Sequence, residues 1–241
     1  MSIWGKILGG AAGFAVGGPL GALVGTLAGH AVDRRCGPEE ADGTKSIAFT
    51  IGVVVLSAKL AKVDGIVRRV EVETFKRVFD VPPDELKNVG RVFDLARRDS
   101  QGFEVYARQI ARLFDDGHAV LEDLLESLLR IAEADGEVHG AELRYLREVA
   151  TIFGFTETDM QRILAEHYAV SHDADPYAVL GVARDADDGA VKAAFRRLVQ
   201  EHHPDRLIAQ GLPKEFVDVA TEKMATINAA YARIQRERQP A

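Results

Sequence analysis

Residues 202–205 read His-His-Pro-Asp, so an imidazole and a carboxylate lie two positions apart across a proline. Proline lacks an N–H and disfavours helical geometry in the residue before it, so the segment is a turn that ends any preceding helix. Such a turn could do acid–base work, join a metal site, or present a ring and a charge to a protein partner. A metal site would need further ligands, and the neighbouring sequence supplies no other Cys or His. Just upstream lie Lys192, Arg196 and Arg197. Lys192 and Arg196 are four apart and therefore neighbours on a helix surface. A cationic face beside His203, Pro204 and Asp205 suits docking on a partner of complementary charge.

A second set is acidic. Ala61-Lys62-Val63-Asp64-Gly65-Ile66-Val67 followed by Glu71 matches Ala132-Glu133-Ala134-Asp135-Gly136-Glu137-Val138 followed by Glu142. Asp64, Glu71, Asp135 and Glu142 thus recur at one offset, and oxygen ligands suit a divalent cation. The same residues also serve plain structure, since Asp before Gly makes a turn and Glu in a first helical turn complements the dipole. Both readings stand, although the ligand series of an EF-hand loop is absent. His118, His139 and His167 show no metal-ligand spacing.

The third set is a stripe of glycines at Gly5, Gly9, Gly13, Gly17, Gly21, Gly25 and Gly29, within a stretch where no charge falls between Lys6 and Asp33. The 23 residues from Ile7 to Gly29 reach about 35 Å as a helix, enough to cross a bilayer core. Glycine every fourth residue lets a second helix approach closely, so the stripe predicts a membrane helix that can pair with a second copy of itself. Lys6 on one flank and Arg34 and Arg35 on the other leave its orientation open. Cys36, the one cysteine, excludes a disulfide framework within the chain.

The elements that must position these residues are helical. Apolar residues recur at helical spacing over Ser46–Val63, Glu71–Asp80, Pro83–Asp99, Phe103–Phe114, Ala119–Ala134, Ala141–Phe153 and Thr156–Tyr168, with little strand-like alternation. Thr156 and Asp159 form a capping-box pattern at the start of the last of these. Beyond Asp175, a short apolar segment ends at Gly181, an amphipathic helix runs from Asp187 to His202, and a long helix follows from Pro213 to Arg236. Val217, Ala220, Met224, Ile227, Ala230, Tyr231 and Ile234 supply the packing face of that long helix. The fold class is all-α.

The 241 residues are 47% hydrophobic and 28% charged, which excludes a wholly disordered chain. The mean hydropathy of -0.06 averages an apolar N-terminal segment with two polar helical regions. The net charge of -7 argues against nucleic acid as a partner. Residues 36–170 carry most of it, with 17 basic against 25 acidic residues. No nucleophile–base pair or phosphate loop can be placed, so the sequence reads as a non-enzyme needing no cofactor, apart from the divalent cation left open above.

The middle bundle, with its repeated helix, Asp-Gly turn and helix, resembles the TerB-like (tellurite-resistance) domains. The C-terminal stretch resembles a J domain, on Pro-Tyr-Ala-Val-Leu-Gly-Val from Pro176, Val-Lys-Ala-Ala-Phe-Arg-Arg-Leu-Val-Gln-Glu-His-His-Pro-Asp-Arg from Val191 and Ile-Asn-Ala-Ala-Tyr from Ile227. That resemblance implies that His203, Pro204 and Asp205 dock on a DnaK-type chaperone and trigger its ATP hydrolysis, with Lys192, Arg196 and Arg197 steering the encounter. The Gly/Phe-rich linker and Cys-x-x-Cys zinc module of the wider family are absent from the sequence. The order as a whole is similar to membrane-anchored, DnaJ-like co-chaperones. It implies a single-pass protein of the bacterial inner membrane with its C-terminal domains in the cytoplasm. The expected organisation is a membrane segment 1–35, a linker 36–45, a TerB-like bundle 46–168, a linker 169–174 and a J domain 175–238. A competing expectation is an envelope-stress sensor in which the bundle binds a metal or ligand and the J domain is the output.

Overall fold

The computed structural model describes residues 38–98, 102–114, 118–171, 175–209 and 216–238. The glycine stripe and the membrane helix expected over 1–35 lie outside these residues, as does Pro213. Among the described residues there are helices and turns and no strand, so the all-α expectation holds.

Helix α1 (Pro38–Leu60) is the centre of the bundle. Every residue from Phe49 to Ala61 is buried, so a helix apolar on all sides is surrounded rather than laid on a surface. It packs against α3 (Leu86–Ala96), α4 (Phe103–Leu113) and α5 (His118–Ala132). Gly52 permits the approach of α4: a Cβ there would sit 2.5 Å from Cδ1 of Ile110. Tyr145, on α6 (Gly140–Ile152), donates its hydroxyl to the carbonyl of Leu56 at 2.9 Å. Among the described residues no helix is long and apolar enough to cross a membrane.

One boundary differs from the sequence pattern. Residues 38–45, assigned there to a linker, belong to α1. Pro38 occupies the first position, where the missing N–H is not needed, and the helix runs on through Gly43.

The repeat is visible as architecture. The Asp64-Gly65 turn leads from α1 into α2 (Arg69–Val78), and a 3-10 turn (Glu133–Asp135) leads from α5 into α6. Gly65 (φ 92°) and Gly136 (φ 112°) adopt the left-handed backbone these turns need. The Oδ1 of Asp64 accepts from the Ile66 N–H at 2.9 Å, closing the first turn. Helix α7 (Glu157–Ser171) completes the bundle, its entry held by the Thr156–Asp159 box, in which Asp159 accepts from the Thr156 N–H at 2.8 Å.

The C-terminal unit comprises α8 (Pro176–Val179), α9 (Asp188–Glu201), α10 (Pro204–Ala209) and α11 (Val217–Arg238). Asp175 and Asp187 cap α8 and α9 through the N–H groups of Tyr177 and Ala190. Tyr177, Val179, Leu180, Val191, Leu198, Ile227, Ala230 and Ile234 form its core, with Phe195 and Tyr231 stacked at 4.0 Å beside it. Arg238 closes the far end, contacting the Tyr177 hydroxyl at 3.0 Å and Asp188 at 2.7 Å. Leu207, Phe216 and Ala220 do not join this core. They belong to the core of the bundle, where Phe216 meets Phe49 and Phe79 edge-on or tilted at 5.2 and 5.1 Å.

Candidate functional site

The His-Pro-Asp turn is built at the end of α9. His202 caps that helix, its N–H reaching the Leu198 carbonyl at 2.9 Å. Pro204 then opens α10, and the carbonyl of His203 accepts from the N–H groups of Arg206 (2.9 Å) and Leu207 (3.1 Å). The sequence pattern treats Pro204 only as a stop, and α10 is the element it misses. Proline is equally suited to a first helical turn, which is its role here.

The turn stands open between two buried flanks. Side-chain exposure is 51% for His203 and 89% for Asp205, whereas His202 and Leu207 are 1% and 0% exposed. Nδ1 of His203 accepts from the Asp205 N–H at 3.2 Å, which in the neutral ring leaves the proton on Nε2. Lys192, Arg196 and Arg197 are all exposed on α9, and Arg197 pairs with Glu201 at 3.6 Å. The turn and this cationic face can therefore meet one partner surface, the chemistry being charge and hydrogen bonding rather than bond cleavage.

The acidic quartet comes together at the repeat, around a guanidinium. Arg68 reaches Asp64 at 2.6 Å, Asp135 at 3.1 Å and Nε2 of His139 at 3.3 Å, while His139 lies 3.7 Å from Asp135. The two glutamates do matching work one repeat apart. Glu71 accepts from the Arg68 N–H at 2.6 Å and Glu142 from the His139 N–H at 2.8 Å, each capping its helix. Burial pushes the Glu71 carboxyl up to about 7, with repulsion from Glu142 adding to it. Burial likewise raises Glu142. Burial works against the charge of Asp64 too, but the Ile66 N–H and Arg68 outweigh it and hold that carboxyl low. Among the described residues no group of three or more His, Cys, Asp or Glu side chains is disposed to hold a metal ion. Arg68 lies among three of the four acids, 2.6 Å from Asp64, 3.1 Å from Asp135 and 3.9 Å from Glu71.

Sequence reasoning missed a second charged cluster altogether. Lys223 on α11 is buried between the two units, in contact with Glu122 and within 3.4 Å of Glu126, 3.5 Å of Glu166 and 3.8 Å of Asp123. Arg162 bridges Glu122 and Glu166, the latter at 2.6 Å, and Arg130 joins Glu126 (3.0 Å) to Glu222. His202 enters the same cluster, its Nδ1 lying 3.1 Å from Oδ1 of Asp123. Burial opposes the charges of Lys223, Arg162, Arg130, Glu122, Glu126 and Glu166. Around Lys223 the carboxylates prevail and push the ammonium well above its usual value. Lys223 and Arg162 hold Glu122 far below the carboxylate range, while at Glu166 burial wins and raises the carboxyl. The one sequence signal is that Lys223 lies on the stripe between Ala220 and Ile227, a lysine where the periodicity asks for an apolar residue.

Comparison with known proteins divides the chain in three. Residues 1–55 match the family described as Co-chaperone DjlA transmembrane domain, residues 50–165 match Tellurite resistance protein TerB, and residues 175–239 match the DnaJ domain. The chain is similar along its length to proteins named Co-chaperone protein DjlA. That of Vibrio cholerae is 31% identical over 99% of both chains. That of Shewanella oneidensis is 30% identical over 99% of both. That of Photobacterium profundum is 29% identical over 98% of this chain and 99% of its own. No solved structure matches.

Proposed function

The chain belongs to the DjlA family of co-chaperones, and from that premise we propose that it stimulates ATP hydrolysis by a DnaK-type chaperone through the turn His203-Pro204-Asp205. The observation that carries this reading is the turn's exposure at the end of a helix whose outer face presents Lys192, Arg196 and Arg197. An acidic patch on the chaperone would be drawn to that face, and complementary charge acts chiefly on the encounter rate. The turn then presents the His203 ring and the Asp205 carboxylate on a short backbone already fixed by the hydrogen bonds of α10. Nothing in this scheme requires the co-chaperone to make or break a bond.

Residues 1–35 tether the protein in this reading. Support comes from the uncharged run between Lys6 and Asp33 and from the match of residues 1–55 to a transmembrane family. The chaperone's ATP is cytoplasmic, so the bundle and J domain face the cytoplasm from a bacterial inner membrane. The test is chaperone ATPase turnover with the full chain in detergent or vesicles. Wild type accelerates turnover and Asp205→Asn loses most of the acceleration; equal acceleration by both would remove the turn from the mechanism.

A further inference from the structure

We propose that the TerB-like bundle preorganises the chaperone-docking turn, with Asp123 and Lys223 acting as positioning residues for it. The turn has no core of its own. The residue before it, His202, is buried against Asp123 and lies 3.6 Å from Glu122, both on α5 of the bundle. Three residues after the proline, Leu207 is fully buried in the bundle's core. Past α10 the chain re-enters that core through Phe216 and Ala220, and Lys223 then anchors α11 to Glu122, Glu126 and Glu166. The turn is thus held at both ends by a different domain, while His203 and Asp205 remain open.

The arrangement has two consequences. Docking on the bundle cannot hide the turn, so the contact is not a mask. Fixing both flanks lowers the ordering cost that a mobile turn would meet on binding, which is how preorganisation raises affinity. The cluster suits this role because its charges are desolvated and mutually paired: displacing α11 would take Lys223 from Glu122, Glu126 and Glu166 and leave these buried carboxylates to Arg162 and Arg130. Asp123 supports the same point from the other side. Its Oδ1 lies 3.1 Å from Nδ1 of His202 and 3.8 Å from Nζ of Lys223, so one carboxylate oxygen touches both the flank of the turn and the anchor of α11.

The functional half of this proposal rests on the co-chaperone reading above, and the test separates the two. Amide hydrogen exchange is measured on the full chain for wild type, Asp123→Ala and Lys223→Met. Exchange at Asp205, Arg206 and Leu207 is expected to quicken by about tenfold or more in Asp123→Ala, and in either variant by more than any change at Val191, Leu198 and Ile110, which report the opening of the two cores. Lys223→Met serves as the second variant should Asp123→Ala not fold. In chaperone ATPase assays the same variants are expected to raise the half-stimulating concentration several-fold and leave the maximal stimulation unchanged. A lower folded fraction alone would also raise the apparent half-stimulating concentration, so concentrations are counted as folded chain from the circular dichroism of the same samples, and a positioning role leaves a several-fold rise after that correction. Unchanged exchange at the turn overturns the proposal, as does faster exchange with an unchanged half-stimulating concentration. If wild type itself gives no stimulation, the co-chaperone reading fails, and exchange alone then decides whether the bundle orders the turn.

Discussion

Two cations in this protein are ringed by carboxylates, and they behave differently. Arg68 joins the two repeats at a rim where its side chain is 28% exposed, facing Asp64 and Asp135 that are themselves partly open to water. Lys223 joins two domains in an interior where it is 3% exposed and its acidic partners are nearly as buried. Water can take over the partners of the first. The partners of the second are shut off from water and, among the described residues, share only Arg162, Arg130 and His202 besides the ammonium. Equal ion-pair geometry therefore means unequal dependence, because the cost of losing a partner is set by how far the remaining charge is from solvent.

The largest expected effect lies at the junction. Lys223→Met leaves Glu122, Glu126 and Glu166 buried around a neutral side chain, and the loss of stability should be about 3–5 kcal/mol, measured by urea unfolding. Replacing Glu122 by Gln in the same chain should recover part of it, since the stranded charge is what destabilises. A loss no larger than that of an exposed pair would erase the distinction between the two sites.

At the rim, Arg68→Gln should lower the unfolding midpoint by much less than Lys223→Met, because Asp64 and Asp135 can turn to water. Comparable losses would mean that the repeat turn is as desolvated as the junction.

The smallest effect is a pH dependence at the rim. Glu71 titrates near 7 in the folded chain against an ordinary value of 4.5. Between those values the folded state holds a proton that the unfolded state has released, so stability falls as pH rises through this window. Glu71→Gln should flatten that part of the profile, read as unfolding midpoint against pH. A wild-type stability that rose between pH 5 and 7 by an amount lost in Glu71→Gln would reverse the sign and refute the assignment.

These contrasts also mark what the sequence could disclose. Helical periodicity, Asp-Gly turns and the His-Pro-Asp order are local signals, and the helices, the repeat and the residues of the turn follow from them. Boundaries set by proline were less legible. Pro38 and Pro204 read as breaks, yet each starts a helix, because the same ring that ends a helix fits its first position. The acidic quartet was legible as four residues at a repeated offset, but not its centre: nothing in the spacing shows that Arg68 reaches across to Asp135. The junction was the least legible part. Lys223 and Glu122 are 101 residues apart, and His202 and Asp123 are 79 apart. A buried lysine among buried acids looks, in one dimension, like a solvated face. Only the packing of α11 on α5 turns those charges inward, and with them the flanks of the turn.

The measurement that bears most directly on the account is single-turnover ATP hydrolysis by a DnaK-type chaperone mixed with the full chain, comparing wild type with His203→Gln. Among the described residues the exposed ring of His203 bonds within the turn, to the Asp205 N–H, and not to the buried cluster, so the substitution acts on the turn and not on the junction. The account predicts acceleration by wild type and none, or nearly none, by the variant. Equal acceleration by both proteins would contradict it.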